Sequence, residues 1–182
     1  MSISHILFDN LPALGTAGEV LTCEGTSSIA TWTNIATALS PSFPTYVAPT
    51  LFTPVLEFGS GSTGITYTVQ SGVYTQIANV IEFSIFITLS NKGSSTGAAR
   101  VTGLPVVANP NIAPGFTFGM LNTTNVTPGA NCSLLFSRLA ATSNTFALFQ
   151  ANEVSGSLSA LNTLTNTNFS NTSTISFTGT YY

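Results

Sequence analysis

Two glycine-rich stretches carry the spacing of known chemical motifs, and both follow apolar runs. Residues 59–64 read GSGSTG. A G-x-G-x-x-G pattern holds a dinucleotide pyrophosphate when the third glycine opens a helix, whose N-terminal amides and dipole face the phosphates. An acidic residue about 20 positions further on then takes the ribose, and Glu82 stands near that offset. Yet Gly64 is followed by ITYTVQ, a β-branched, alternating run. The spacing therefore predicts a turn between strands and no phosphate cradle. Residues 93–97, GSSTG, match the G-x-S-x-G nucleophile elbow with Ser95 in the nucleophile's place. That elbow needs a strand-turn-helix and then an acid and a histidine later in the chain. His5 is the one histidine, and AARVTGL after the motif reads as strand.

His5 and Asp9 have the i,i+4 spacing of a metal-ligand pair, but a site takes three or four ligands and a supporting shell. Only a symmetric assembly bringing several His5 side chains onto one axis would supply them. Glycoside hydrolysis needs two carboxyl groups at a defined separation. Beyond residue 55 the acids are Glu57, Glu82 and Glu153, each on a different run. The expectation is a non-enzyme with no cofactor and no metal, and no catalytic or binding residue is assigned.

Charged residues make up 5% of the chain, against roughly 25% in ordinary globular proteins. Ser, Thr, Asn and Gly supply the polarity instead. A net charge of −3 with three Lys and Arg argues against nucleic acid, whose phosphates take several cations, and against a polybasic membrane patch. No apolar run reaches the ~20 residues of a spanning helix. The opening MSISHILFDN lacks the basic and long apolar regions of a signal peptide, so synthesis in a cytoplasm is expected. Cys23 and Cys132 are then read as free thiols. The sequons at Asn122, Asn125, Asn131, Asn168 and Asn171 are expected by chance in so Asn- and Thr-rich a chain. A hydrophobic content of 43% with 13 Phe is enough to bury a core and offset ordering entropy.

Residues 1–40 contain a small hairpin-like unit, a Glu19–Cys23 run and an Ala30–Thr33 run around a turn at 25–28, with a single helical turn expected at 35–40. Pro41, Pro44, Pro49 and Pro54 make residues 41–54 an extended connector. Phe43, Tyr46 and Phe52 are expected to pack against the following domain or a neighbouring subunit. From 55 to 182 the period is two. Ile65, Tyr67 and Val69 share a face, and a turn at Ser71-Gly72 leads to Val73, Thr75 and Ile77. Ile81, Phe83, Ile85, Ile87 and Leu89 line the inner face of the longest strand, with Phe86 the apolar exception outside. Shorter strands are expected at 99–104, 116–120, 132–139, 145–151 and 173–182, separated by polar loops at 106–115, 121–131 and 152–171. Roughly eight to ten strands without a helix predict an all-β fold, an antiparallel β-sandwich or jelly roll.

Residues 51–105, LFTPVLEFGSGSTGITYTVQSGVYTQIANVIEFSIFITLSNKGSSTGAARVTGLP, resemble the C-terminal head domains of bacteriophage tail fibres and related viral attachment fibres. Residues 15–32, GTAGEVLTCEGTSSIATW, resemble a recurrent tail-fibre segment in which a G-T-A-G-x-V-L-T run and a short turn precede Thr-Trp. Residues 106–182 match in general character alone. The resemblance implies a tumour-necrosis-factor-like homotrimeric head on a short neck, carried on the virion surface with the rest of the fibre. Distal loops would hold a host cell-surface glycan or receptor protein through many weak contacts, without cofactor, nucleic acid or membrane insertion. A non-viral, lectin-like trimeric jelly roll and a purely structural virion decoration or adaptor protein are the alternatives. Asn122, Asn125, Asn131, Asn162 and Asn166 in the polar loops have amides suited to sugar hydroxyls. They are equally suited to forming turns, so the receptor-binding residues stay unknown at this stage.

Overall fold

The computed structural model describes residue 17 and residues 19–22, 31–34, 45–109, 117–154 and 157–182. The expectations for His5, Asp9, Cys23, Phe43 and residues 35–40 lie outside the described residues. The chain divides into two compact units, 1–45 and 46–182.

In the first unit β1 (Glu19–Thr22) pairs antiparallel with β2 (Thr31–Asn34), Glu19 opposite Asn34 and Thr22 opposite Thr31. This is the expected hairpin-like unit.

The second unit begins at Tyr46, inside the stretch read as connector. Residues 46–52 form β3 (Tyr46–Phe52), hydrogen-bonded along one side to β5 (Ile65–Ile77). Pro49 is tolerated because β3 is an edge strand, where a missing N–H costs no ladder bond. The register slips between Val47 and Thr50, around the proline. The remaining strands are β4 (Val55–Phe58), β6 (Val80–Lys92), β7 (Ala99–Thr102), β8 (Thr117–Met120), β9 (Asn122–Val126), β10 (Cys132–Leu139), β11 (Phe146–Val154), β12 (Ser157–Thr163) and β13 (Phe169–Tyr181). A single 3-10 turn, Asn166–Asn168, is the one helical element among the described residues.

A five-stranded sheet runs β3-β5-β6-β13-β9, and a six-stranded sheet runs β4-β7-β11-β10-β8 with β12 also on β11. All pairings are antiparallel. β7 and β12 share one side of β11: Ala147 pairs with Arg100, and Phe149 onward pairs with β12. The fold is thus the expected all-β antiparallel sandwich.

Alternation drives each layer. Ile81, Phe83, Ile85, Ile87 and Leu89 of β6 and Ile175, Phe177 and Tyr181 of β13 are buried, facing Leu56, Phe58, Val101, Leu139, Phe146 and Leu148 of the other sheet. Aromatic rings form the centre of this core. Phe83 and Phe146 have ring centroids 4.8 Å apart, and Phe146 meets Phe177 edge-on at 5.2 Å.

Two expectations are corrected. Ser71 and Gly72 do not turn the chain: β5 is continuous, and the turn to β6 falls at Ala78 and Asn79. Gly72 is buried where the Phe52 ring of β3 crosses β5, and a Cβ there would lie 2.6 Å from Phe52 Cζ. A glycine inside a strand marks a close approach as readily as a turn. The polar segments 121–131 and 152–171 also contain strands β9 and β12 and the start of β13. Their strand propensity is weak, and pairing against β13 and β11 supplies what the local sequence lacks.

Candidate functional site

The two glycine motifs meet at one end of the sandwich. Residues 59–64 join β4 to β5 and residues 93–97 join β6 to β7. Ser94 N donates to Thr63 O at 3.0 Å, Gly59 N to Ala98 O at 2.9 Å, and Thr63 N to Ser95 Oγ at 2.9 Å. Gly59 and Gly93 have φ of 59° and 67°, backbone that favours glycine. Ser95 therefore serves as a loop brace, and neither motif opens a helix. As expected from the sequence, they are turns.

The carboxylates stay apart in the fold. Glu57 on β4 lies opposite Arg100 on β7, and its Oε2 takes the Arg100 Nε at 2.8 Å and NH2 at 2.7 Å. Glu82 sits on the outer side of β6 and Glu153 near the end of β11, both exposed. No pair of acids faces a common cleft among the described residues, and no cluster of metal-ligating side chains is found among them. Cys132 carries a free, half-buried thiol.

The five candidate asparagines divide. Asn125 donates to Thr172 O at 3.2 Å and Oγ1 at 3.1 Å, in a left-handed conformation (φ 56°). Asn166 Oδ1 accepts from Gly97 N at 2.9 Å, while its backbone oxygen takes Lys92 Nζ at 3.2 Å. Asn131 holds a positive φ of 59° in the turn before β10. These three build loops. Asn122 and Asn162 are exposed on strands β9 and β12.

What sequence spacing did not show is a set of hollows. One groove of about 430 Å³ opens at the end where β5 turns into β6, lined by Gln76, Asn79, Ile81, Val106, Asn109 and Tyr182 among others. Another, of about 350 Å³, lies on the outer face of the five-stranded sheet between Phe86, Met120, Asn122 and Thr178. Close to the first, the buried Tyr181 hydroxyl donates to Val106 O at 3.0 Å; burial pushes this phenol up to about 12. Burial likewise raises the Tyr67 phenol, whose oxygen accepts from Leu56 N.

The outer face of the five-stranded sheet carries several exposed apolar side chains among Ser, Thr and Glu82. Residues directly opposite in an antiparallel pair share a face. Tyr46 lies opposite Ile77 and Ile77 opposite Val80; Leu51 lies opposite Val73, and Ser71 opposite Phe86. Leu51 is 79% exposed and Phe86 43%.

No protein family and no curated protein matches the chain. Among solved structures, the chain is similar to the crystal structure of the Dettilon tailspike protein, at 21% identity and a TM-score of 0.51. The likeness covers 75% of this chain and 23% of that one. At that identity it is a likeness of fold: the chain has an all-β architecture found within a much longer tailspike protein.

Proposed function

We propose that this chain is the head of a virion attachment fibre, acting as a homotrimer that holds a host-surface glycan or protein through repeated weak contacts. It performs no catalysis and needs no cofactor. The observation that carries this reading is the outer face of the five-stranded sheet. Tyr46, Leu51, Val69, Ile77, Val80 and Phe86 are exposed there, with Glu82 the one charged side chain of β6 on that side. Several exposed apolar side chains on one sheet face suit an association surface. The tailspike-like fold and the charge-poor composition support a place on the exterior of a particle. Three copies per head multiply modest affinities without any new contact.

Light scattering coupled to size exclusion tests the assembly. The expected mass is three times 18.9 kDa, and the double variant Leu51→Asp, Phe86→Asp should fall to the monomer mass while keeping its β-sheet circular dichroism. A monomeric parent protein at micromolar concentration would sink the reading. A trimer that labels no bacterial cell in a broad panel would favour the structural decoration alternative instead.

A further inference from the structure

The end groove has the chemistry of a ligand site that the sequence motifs do not announce. Its floor is apolar, Ile81 from the start of β6 and Val106 from the segment after β7. Its rim carries the amides of Gln76, Asn79 and Asn109 and the phenol of Tyr182. We propose that this groove binds a neutral saccharide. The inference rests on the attachment reading and gives that reading a place on the molecule.

Three features select the ligand class. First, none of the lining side chains is Asp, Glu, Lys, Arg or His. An anionic sugar would therefore lose its hydration without meeting a cationic side chain. Second, a side-chain amide presents a donor and an acceptor side by side, which matches neighbouring hydroxyls on a sugar ring. The aliphatic floor and the Tyr182 ring suit the ring's C–H face. Third, the rim is set in advance. Tyr181 pins Val106, Ala108 N donates to Ser143 O at 2.9 Å, Thr142 N to Ala108 O at 3.1 Å, and Asn109 N to Tyr182 O at 2.6 Å. Gln76 Nε2 donates to Ala78 O at 2.7 Å, which orients its amide. Little ordering remains to be done on binding, and that is where weak ligands usually lose affinity. At about 430 Å³, the groove falls within the roughly 300–1,000 Å³ of small-ligand pockets, room for a mono- or disaccharide.

The groove takes in Val106–Asn109 from the loop expected at 106–115, and it opens at the end where Tyr46 leads the chain into this unit. It lies away from the glycine-loop end.

The test uses the full chain against neutral oligosaccharides built on glucose, galactose, mannose and N-acetylglucosamine, beside sialylated and uronic-acid ones, by saturation-transfer NMR and calorimetry. Val107→Trp should fill the groove, since Val107 lines it and is 55% exposed. Asn79→Ala removes one amide from an exposed turn. The expected result is neutral-sugar binding that Val107→Trp weakens at least about tenfold and Asn79→Ala about threefold or more, as lost contacts of roughly 1 kcal/mol each imply, with the solution mass unchanged. Neutral binding untouched by either variant would overturn the groove assignment. Binding of acidic sugars alone, or of none, would overturn the neutral-saccharide class. In each of those cases, binding of the labelled parent protein to bacterial cells decides the attachment reading separately.

Discussion

Replacing Gly72 with alanine tests whether β5 runs straight under β3. Gly72 pairs with Ile85 on one side and Phe52 on the other, and its backbone is not in the left-handed region, so alanine meets no φ penalty. It meets the Phe52 ring, with Cζ, Cε1 and Cε2 at 2.6, 2.7 and 2.8 Å from the new Cβ. Carbon atoms prefer about 3.5–4.0 Å, so the ring must swing outward by about 1 Å. That loosens its edge contact with Tyr74, now 6.2 Å between centroids, worth about 0.5–1.5 kcal/mol. Part of a half-buried ring is also exposed, at roughly 1 kcal/mol. Alanine regains about 0.5–1 kcal/mol over glycine within a strand. The net is a loss of about 1 kcal/mol in the parent background. With Phe52→Ala in place there is no ring to displace, and the same change should stabilise by about 0.5–1 kcal/mol. The coupling energy between the two sites should therefore be about 1.5–2 kcal/mol, a size typical of residues in contact. Urea unfolding of the four proteins at one fixed concentration measures it. Coupling near zero would refute the crossing and restore a turn at Ser71-Gly72, where the two residues would not meet.

Phe146→Ala should cost about 3–5 kcal/mol, because its ring is fully buried against Phe83 and Phe177; a loss below about 2 kcal/mol in chemical unfolding would show that these rings are not the centre of the core. Alkaline stability should depend on Tyr181, whose folded pKa of about 12 exceeds the ordinary value of about 10. A raised phenol pKa contributes stability that is complete below pH ~10 and is lost as pH climbs through ~12, up to about 2–3 kcal/mol. Tyr67 is shifted in the same direction, so Tyr181→Phe should flatten the decline in pH-jump unfolding only in part. Towards acid the profile should be flat. The ion pair of Glu57 with Arg100 is partly exposed, and such pairs contribute under about 1 kcal/mol; a cooperative dissociation near pH 5 would contradict this.

The inner faces of β6 and β13 were legible because alternation there is strict: Ile81 through Leu89, and Ile175 with Phe177 and Tyr181, are buried as spaced. Glycine and proline misled. Gly72 reads locally as punctuation, yet the force acting on it is a ring from β3, 20 positions upstream in the chain. Pro49 reads as a barrier to strands, yet an edge can hold it. Strand β9, NTTNV, has little apolar content to reveal it, and its partner β13 lies far along the sequence. The end groove was illegible for the same reason: Gln76, Asn79, Asn109 and Tyr182 come from separate segments, and no local spacing unites them.

A chain with so few charges must still satisfy the backbone of its loops, and the hydrogen bonds show how. Asn168 takes Thr165 N and donates to Thr127 O; Gln150, buried, takes Gly129 N; Ser173 takes Ser170 N and donates to Asn125 O. Side chains of this type brace turns because their short polar ends reach nearby backbone groups. These Asn, Gln and Ser side chains at the glycine-loop end are thereby engaged within the protein. In the proposed saccharide site the polar groups are gathered over an apolar floor. The composition thus explains the stiffness of the glycine-loop end, and the proposed saccharide site lies at the opposite end of the sandwich.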